Sequence, residues 1–148
     1  MSCQRWHLVV IAALSTRPAT SPPRQDRLPL LVAYLRNVVL APGVAHERGH
    51  VLFVDENRSL LGDAGIGMGN LNALSLRMRE LFGEALRLNA RGIILAHNHP
   101  SGHCHPSRSD IAATRRLAEV ARALEIELID HLIFTREAVY SMRAGGLL

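Results

Sequence analysis

The sequence predicts an α/β fold in which a mixed central β-sheet is flanked by helices. At its centre, residues 92–96 form a continuous apolar run with β-branched side chains, which is typical of a strand buried on both faces. On either side of this run, apolar residues recur at helical spacing, at 73–88 and again after residue 110. A strand that lies between two amphipathic helices indicates crossover connections that place the helices on the faces of one sheet.

The first part of the predicted sheet precedes this central strand. Residues 28–40 form a predicted helix that Pro42 and Gly43 end. A strand is predicted at 47–54 and, after a turn, a partner strand at 59–65. Three glycines are then expected to form a flexible crossing to the next helix: Gly65, Gly67 and Gly69.

The second part of the sheet follows the central strand. A helix is predicted to open at 106–110, after a turn signal at 100–102. Its core-facing positions are Ile111, Thr114, Leu117, Ala118, Ala121 and Leu124. Strands at 126–134 and 138–142 are expected to complete the sheet as a hairpin.

The domain organisation follows from length and composition. Residues 1–27 are expected to be a poorly defined N-terminal segment, with a linker rich in Pro, Ser and Thr at 15–26, and residues 28–148 to form one domain. The apolar stretch within 1–14 spans about eight residues, whereas roughly 20 are needed to cross a bilayer. No small-residue cleavage site follows it, and two cysteines give no disulfide framework. These features predict a cytoplasmic protein without a membrane partner.

The charge of the chain is moderately basic. The formal net charge is +4, and all 17 basic residues are arginines. They are scattered along the chain, except for a stripe on the predicted helix formed by Arg108, Arg115 and Arg122. Such a stripe is typical of a solvated helix face, and it also leaves nucleic-acid binding open as an alternative.

Two histidines and one carboxylate form a candidate metal site. His97 and His99 follow the central strand one residue apart, so their side chains project from the same face. Asp110 lies in the first turn of the next helix, on its core-facing side, where a carboxylate needs a partner. Two imidazoles and one carboxylate are the ligands of catalytic zinc sites that leave a fourth position to water.

A capping role explains part of this pattern without a metal. Ser107 and Asp110 have the spacing of an N-cap residue and the third helical residue. An acidic residue in the first turn of a helix also interacts favourably with the helix dipole. From spacing alone, therefore, the metal and capping interpretations both remain open.

Longer motifs resemble a known family. The segment HNHP at 97–100, six further residues, Ser107, two residues and Asp110 resemble the JAMM metal signature of the JAB/MPN metalloprotease superfamily. Four longer segments resemble the bacterial RadC branch of this superfamily, and the resemblance covers residues 34–148: HNHPSG, PSRSDI, LIDHLIF and VYSM. The resemblance implies a JAB/MPN-like fold with deaminase-like layering, and Zn²⁺ bound by His97, His99 and Asp110.

The resemblance also implies candidate functions. The leading hypothesis is a zinc-dependent hydrolase of the metallopeptidase type that cleaves an amide or isopeptide bond in a peptide or protein through a metal-activated water. The alternative is a DNA-repair-associated accessory or binding protein without hydrolytic turnover. A third reading is a structural relative that keeps the motif and performs no turnover. Function has to be decided from the site, since one fold hosts many activities.

Catalytic roles are assigned by the same resemblance. Glu47 matches the upstream acid that acts as general base, and Glu80 on the predicted helix is the rival candidate. Ser107 matches the serine that donates a hydrogen bond to the oxyanion, and it is equally suited to cap the helix.

Other polar residues near the motif are expected to support it. Asn98 faces away from the histidines and is predicted to fix a loop. Asp130 and His131 are predicted to orient ligands or stabilise the structure, with metal ligation as the alternative. Three residues depart from the family pattern and are either an accessory metal site or ordinary loop residues: His103, Cys104 and His105.

Overall fold

The computed structural model describes residues 4–5, 24–43, 45–67 and 71–148. Three helices are present: α1 Arg24–Val39, α2 Leu71–Arg87 and α3 Arg108–Ala123. Six strands are present: β1 Gln4–Arg5, β2 Arg48–Val54, β3 Leu60–Gly67, β4 Gly92–Asn98, β5 Glu127–Phe134 and β6 Ala138–Ser141. They form one sheet in the order β1-β6-β5-β4-β2-β3.

The sheet is mixed, as predicted. β4 pairs with β5 in parallel, and α3 makes the crossover between them. β2 lies antiparallel to both β3 and β4, so β3 and β4 run in the same direction and α2 crosses over β2 to connect them. β5 and β6 form the expected hairpin, and β1 extends the sheet beyond β6. The predicted α/β class is confirmed.

The core lies on both faces of the central strand. Every residue of β4 is buried. Ile93 and Leu95 pack on the face covered by α2 and α3, whereas Ile94 and Ala96 pack on the face covered by α1. Because side chains alternate along a strand, His97 belongs to the α2–α3 face. The strand thus carries one metal-ligand candidate directly out of the hydrophobic core.

Helix α1 begins earlier than the sequence predicted. It starts at Arg24 rather than at residue 28 and runs through Pro29, so it includes the end of the predicted linker. Arg27 donates hydrogen bonds to the main-chain carbonyl of Asn57 and to the Ser59 hydroxyl. These contacts hold the beginning of the helix on the β2–β3 turn. Tertiary packing therefore overrides the unfavourable local composition.

Two predicted glycine roles are wrong. Gly65 and Gly67 lie in β3, opposite His50 and Arg48 of β2, and not in a flexible crossing. Main-chain pairing needs no side chain, so an edge strand accepts glycine despite its low β-propensity. Gly69 lies outside the described residues.

Two other details of the fold differ from the prediction. β1 is a two-residue strand paired with Val139 and Ala138, and two residues are too few to show a periodicity. Helix α3 ends at Ala123, so Leu124 is its partly exposed C-cap and not a core-facing residue. The apolar stretch expected within 1–14 lies mostly outside the described residues. Among the helices that are described, none is long and apolar enough to span a bilayer.

Candidate metal centre

The structure brings the three predicted ligands together at the carboxyl end of β4. His97 is the last but one residue of this strand, His99 follows it, and Asp110 is the third residue of α3. One ligand atom from each residue lies within 4.8 Å of the others, so this His-His-Asp group could hold a metal ion. His97 is fully buried, and Asp110 is 9% exposed.

The ligand atoms are closely spaced. The Nε2 atoms of His97 and His99 lie 2.9 Å apart. The Asp110 carboxylate places Oδ1 3.6 Å from His97 Nε2 and Oδ2 3.5 Å from His99 Nε2. The three side chains therefore surround a single point.

A chain of hydrogen bonds orients His97. The Asp110 main-chain carbonyl can only accept, so the Thr114 hydroxyl at 2.6 Å donates to it. Thr114 Oγ1 then accepts from His131 Nδ1 at 2.6 Å, which leaves His131 Nε2 to accept from His97 Nδ1 at 2.8 Å. This chain of hydrogen bonds places the proton of His97 on Nδ1, so the lone pair of His97 Nε2 points into the His-His-Asp group.

His99 has the same tautomer for a different reason. Its Nδ1 donates to the main-chain carbonyl of His103 at 2.7 Å, so its Nε2 also presents a lone pair.

Burial lowers the pKa of His97 to about 4 and that of His131 to about 3, so both imidazoles are neutral at pH 7. Two lone pairs that face each other repel unless a cation or a proton lies between them. The donor set thus suits a divalent metal ion.

The capping and ligand interpretations of Asp110 are compatible. Ser107 is the N-cap of α3 and forms a capping box with Asp110, whose Oδ2 accepts from the Ser107 main-chain N–H at 2.7 Å and its hydroxyl at 2.5 Å. Burial raises the pKa of Asp110, but the hydrogen bonds from Ser107 and the nearby imidazoles outweigh it, so the net pKa is lowered. The carboxylate is ionised, oriented by the cap, and keeps Oδ1 toward His97.

The capping box restricts the second role predicted for Ser107. Its hydroxyl has one proton, and the 2.5 Å contact directs that proton to Asp110 Oδ2. The Ser107 Oγ atom makes a second contact, with the Ser109 Oγ atom at 2.8 Å. Ser107 therefore acts as the N-cap of α3 in this structure, whereas its role as an oxyanion donor remains a prediction.

Of the two carboxylates considered as general base, Glu47 lies beside the group. It immediately precedes β2, its side chain is 50% exposed, and its Oε1 is 4.0 Å from His99 Nε2. Glu80 is exposed on α2, and no ion pair among the described residues joins it to the His-His-Asp group. Of the two, Glu47 is therefore the carboxylate that the structure places beside the group.

The three loop residues that depart from the family pattern lie outside the group. His103 contributes its main-chain carbonyl to His99, and the His105 ring packs edge-on against Tyr140 at 5.4 Å between centroids. Cys104 is buried, and the described part of the chain holds no free cysteine. The described residues therefore give no support to an accessory metal site here.

Asp130 and His131 have separate roles. His131 contacts the candidate ligand His97, whereas the Asp130 carboxylate accepts from the Ser141 hydroxyl and from the main-chain N–H of Arg143. Asp130 thus stabilises the turn after β6. The sequence did not single out Thr114 as functional, because its position in the apolar stripe of α3 predicted only a core residue.

A cleft of about 530 Å³ adjoins the group at His99. Its walls come from the loop that follows α1, from the turn at 100–102, and from Thr135, Arg136 and Glu137. Of the three candidate ligands, His99 is the one that lines this cleft.

Comparison with known proteins agrees with this geometry. Residues 29–147 match the model of the RadC-like JAB domain. The chain belongs to this family. The UPF0758 protein STH371 of Symbiobacterium thermophilum is 40% identical over 112 residues, which cover 74% of this chain and 48% of that protein. A UPF0758 protein of Leptothrix cholodnii is 35% identical over 139 residues, which cover 94% of this chain and 60% of that protein.

The match confirms the family resemblance drawn from the motifs. This RadC-like JAB chain spans about half the length of several curated relatives that it matches. Activities and partners of the longer relatives are therefore not assigned to it by similarity.

Thr114→Val tests whether the hydrogen-bond chain behind His97 supports metal binding in this RadC-like JAB domain. Valine keeps the shape of threonine but removes the acceptor of the His131 Nδ1–H, so the orientation of His97 is no longer enforced. We expect zinc affinity to fall about 10- to 100-fold, the effect typical of lost partners of metal-binding histidines. Competition with a chromogenic chelator measures it. Thr114→Ser, which keeps the hydroxyl, should bind like the wild type, and equal affinity in the valine variant would contradict the role.

Proposed function

We propose that this RadC-like JAB domain is a zinc-dependent hydrolase of the metallopeptidase type that cleaves an amide or isopeptide bond. The observation that carries the proposal is the convergence of two Nε2 lone pairs and one ionised carboxylate at a point beside an accessible second carboxylate, Glu47. Three ligands plus an acid that is not a ligand is the arrangement that hydrolytic metal sites use.

The donor set and its spacing suit zinc. Ligand atoms about 2.0–2.1 Å from a tetrahedral zinc ion lie about 3.3 Å apart, close to the 2.9, 3.5 and 3.6 Å separations within the group. A zinc ion held by His97, His99 and Asp110 would lower the pKa of a coordinated water towards about 7 and polarise a substrate carbonyl.

Glu47 is the proposed general base. Its Oε1 would accept a proton from the attacking water as the C–O bond forms, and would then deliver that proton to the leaving nitrogen as the amide C–N bond breaks, which gives a carboxylate and an amine. Half of the Glu47 side chain is exposed, which keeps the carboxylate available to both solvent and substrate.

The cleft next to His99 supports a peptide as substrate. Several of its lining residues are small, among them Ala41, Gly43, Ala45 and Ser101, so main-chain groups of a bound peptide can approach closely. Arg136 and Glu137 add one charge of each sign to the wall of the cleft. The cleft thus offers no strong preference for one sign of substrate charge.

Metal removal tests the proposed activity. The zinc-loaded protein should hydrolyse a mixed peptide library or a set of isopeptide conjugates, as followed by mass spectrometry. We expect chelation to reduce the rate at least about 100-fold and added zinc to restore it, because the attacking water depends on the ion.

The alternative function predicts a different result. Arg108, Arg115 and Arg122 are all exposed on α3, where they would contact nucleic acid. Duplex DNA binding that weakens steeply with salt, together with no hydrolysis of any peptide or conjugate, would contradict the hydrolase and favour the binding role.

A further inference from the structure

We propose that Asn98 is a positioning residue that holds the main chain on both sides of Glu47 and so places the Glu47 carboxylate beside His99. The inference rests on the proposed function, in which Glu47 is the general base. Asn98 itself contacts neither the ligand atoms nor the point that they surround.

The carboxamide of Asn98 bonds to both neighbours of Glu47. Its Oδ1 accepts from the main-chain N–H of Arg48 at 2.6 Å, and its Nδ2 donates to the main-chain carbonyl of His46 at 3.3 Å. Asn98 is 3% exposed, whereas His46 and Arg48 are exposed, so each bond is buried at its Asn98 end. Both polar ends of the side chain are thereby committed to the segment that carries Glu47.

These bonds take the place of main-chain pairing. The register between β2 and β4 ends with Gly49 opposite His97, and the next pair would be Arg48 opposite Asn98. A carboxamide offers the same donor and acceptor as a peptide group, so it continues the ladder by one step. The Asn98 side chain therefore bridges the main chains of β2 and β4 at the point where their pairing ends.

This arrangement explains how an exposed glutamate is held at the site. Side chains alternate along a strand, so Glu47 lies on the same face as Gly49 and Val51, which is the face of the His-His-Asp group. In the part of the chain that the structure describes, the one polar contact of the Glu47 side chain is the 4.0 Å approach to His99. Its placement therefore depends on the main chain that Asn98 fixes.

Because side chains alternate between the two faces of the sheet, residues 97–99 provide candidate ligands on one face and an anchor for the Glu47 segment on the other. His97 and His99 point to one face and offer ligand atoms, while Asn98 points to the other face and anchors the strand that brings the base. Fixing both on one short segment keeps the base and the ligands in register.

Asn98→Leu tests the proposal, because leucine fills a similar volume without hydrogen bonds. We expect the Arg48 amide to exchange with solvent at least about 10-fold faster and zinc content to be unchanged. A displacement of Glu47 by about 1 Å should lower kcat up to about 100-fold. Asn37→Leu, on an exposed position of α1, is the matched control and should change none of these quantities.

A double-mutant cycle distinguishes positioning from a general loss of structure. If Asn98 acts through Glu47, Asn98→Leu has no further effect on kcat in a Glu47→Gln background. Equal fold-losses in both backgrounds would overturn the proposal, as would an unchanged exchange rate of the Arg48 amide. Should Asn98→Leu fail to fold, Asn98→Asp serves instead, since it keeps the acceptor for Arg48 and loses the donor to His46.

A crystal structure of the zinc-loaded Asn98→Leu variant separates this proposal from the proposed function. We expect the distance from Glu47 Oε1 to His99 Nε2 to increase relative to the wild type. An unchanged position of Glu47 would overturn the inference whether or not the protein is a hydrolase. A displaced Glu47 in a protein without hydrolytic activity would support the anchoring role and reject the base.

Discussion

Replacing His97 and His99 together by alanine is expected to remove the bound metal. Purified wild-type protein should contain about one zinc ion per chain, and the double variant less than about a tenth of that, because a carboxylate alone cannot hold zinc against dialysis. Elemental analysis by mass spectrometry after dialysis into zinc-free buffer measures the content. Unchanged zinc in the double variant would locate the ion elsewhere and remove the basis of the hydrolase proposal.

The same loop supplies a matched control. His103→Ala together with His105→Ala removes two imidazoles, but keeps the main-chain carbonyl of His103 that orients His99. We expect full zinc content in this control. A loss equal to that of the ligand variant would mean that these histidines also bind the ion.

Asp110→Asn separates the ligand role of Asp110 from its capping role. Asparagine still offers an oxygen to the Ser107 main-chain N–H, so the cap is largely kept, whereas the negative charge is lost. If Asp110 is a ligand, zinc affinity falls while thermal stability of the metal-free protein changes little. Wild-type affinity in this variant would leave Asp110 as a cap alone.

Glu47→Gln is expected to give the largest loss of turnover that leaves the metal in place. Glutamine has nearly the same shape but cannot accept a proton, so hydrolysis should fall by about 10²- to 10⁴-fold while zinc content stays at the wild-type level. Steady-state rates on the best substrate from the library, measured beside zinc content, provide the test.

Glu80→Gln is the control for this prediction. Glu80 is exposed on α2, so we expect its variant to retain both zinc and activity. Full activity of Glu47→Gln would reject Glu47 as the base, and a loss confined to Glu80→Gln would transfer the role to that residue.

The candidate ligands could be predicted from the sequence because each depends on a local rule. Alternation along β4 places His97 and His99 on one face, and the apolar stripe of α3 places Asp110 on the core side. The family motif then joined residues that local rules could not relate. The fold itself followed from one buried strand between two amphipathic helices.

Features that depend on distant partners could not be predicted. The start of α1 is held by Arg27 on the turn at 57–59, and Gly65 and Gly67 are strand residues because β2 pairs with them. Thr114 has the pattern of a core residue, and only the position of β5 brings His131 to its hydroxyl.

The partners of Asn98 show the same limit at the site. Its position between the histidines predicted a residue that fixes a loop. The segment that Asn98 fixes is the one that carries Glu47. This could not be predicted, because it depends on the pairing of β2 with β4, which joins residues about 50 positions apart.

Anomalous diffraction from zinc-loaded crystals at the zinc absorption edge tests the metal centre most directly. We predict one peak about 2.0–2.1 Å from Nε2 of His97 and of His99, and about 2.0–2.2 Å from an oxygen of Asp110, with Glu47 outside bonding distance. A zinc peak elsewhere, or an Asp110 carboxylate turned away from both rings, would contradict the account.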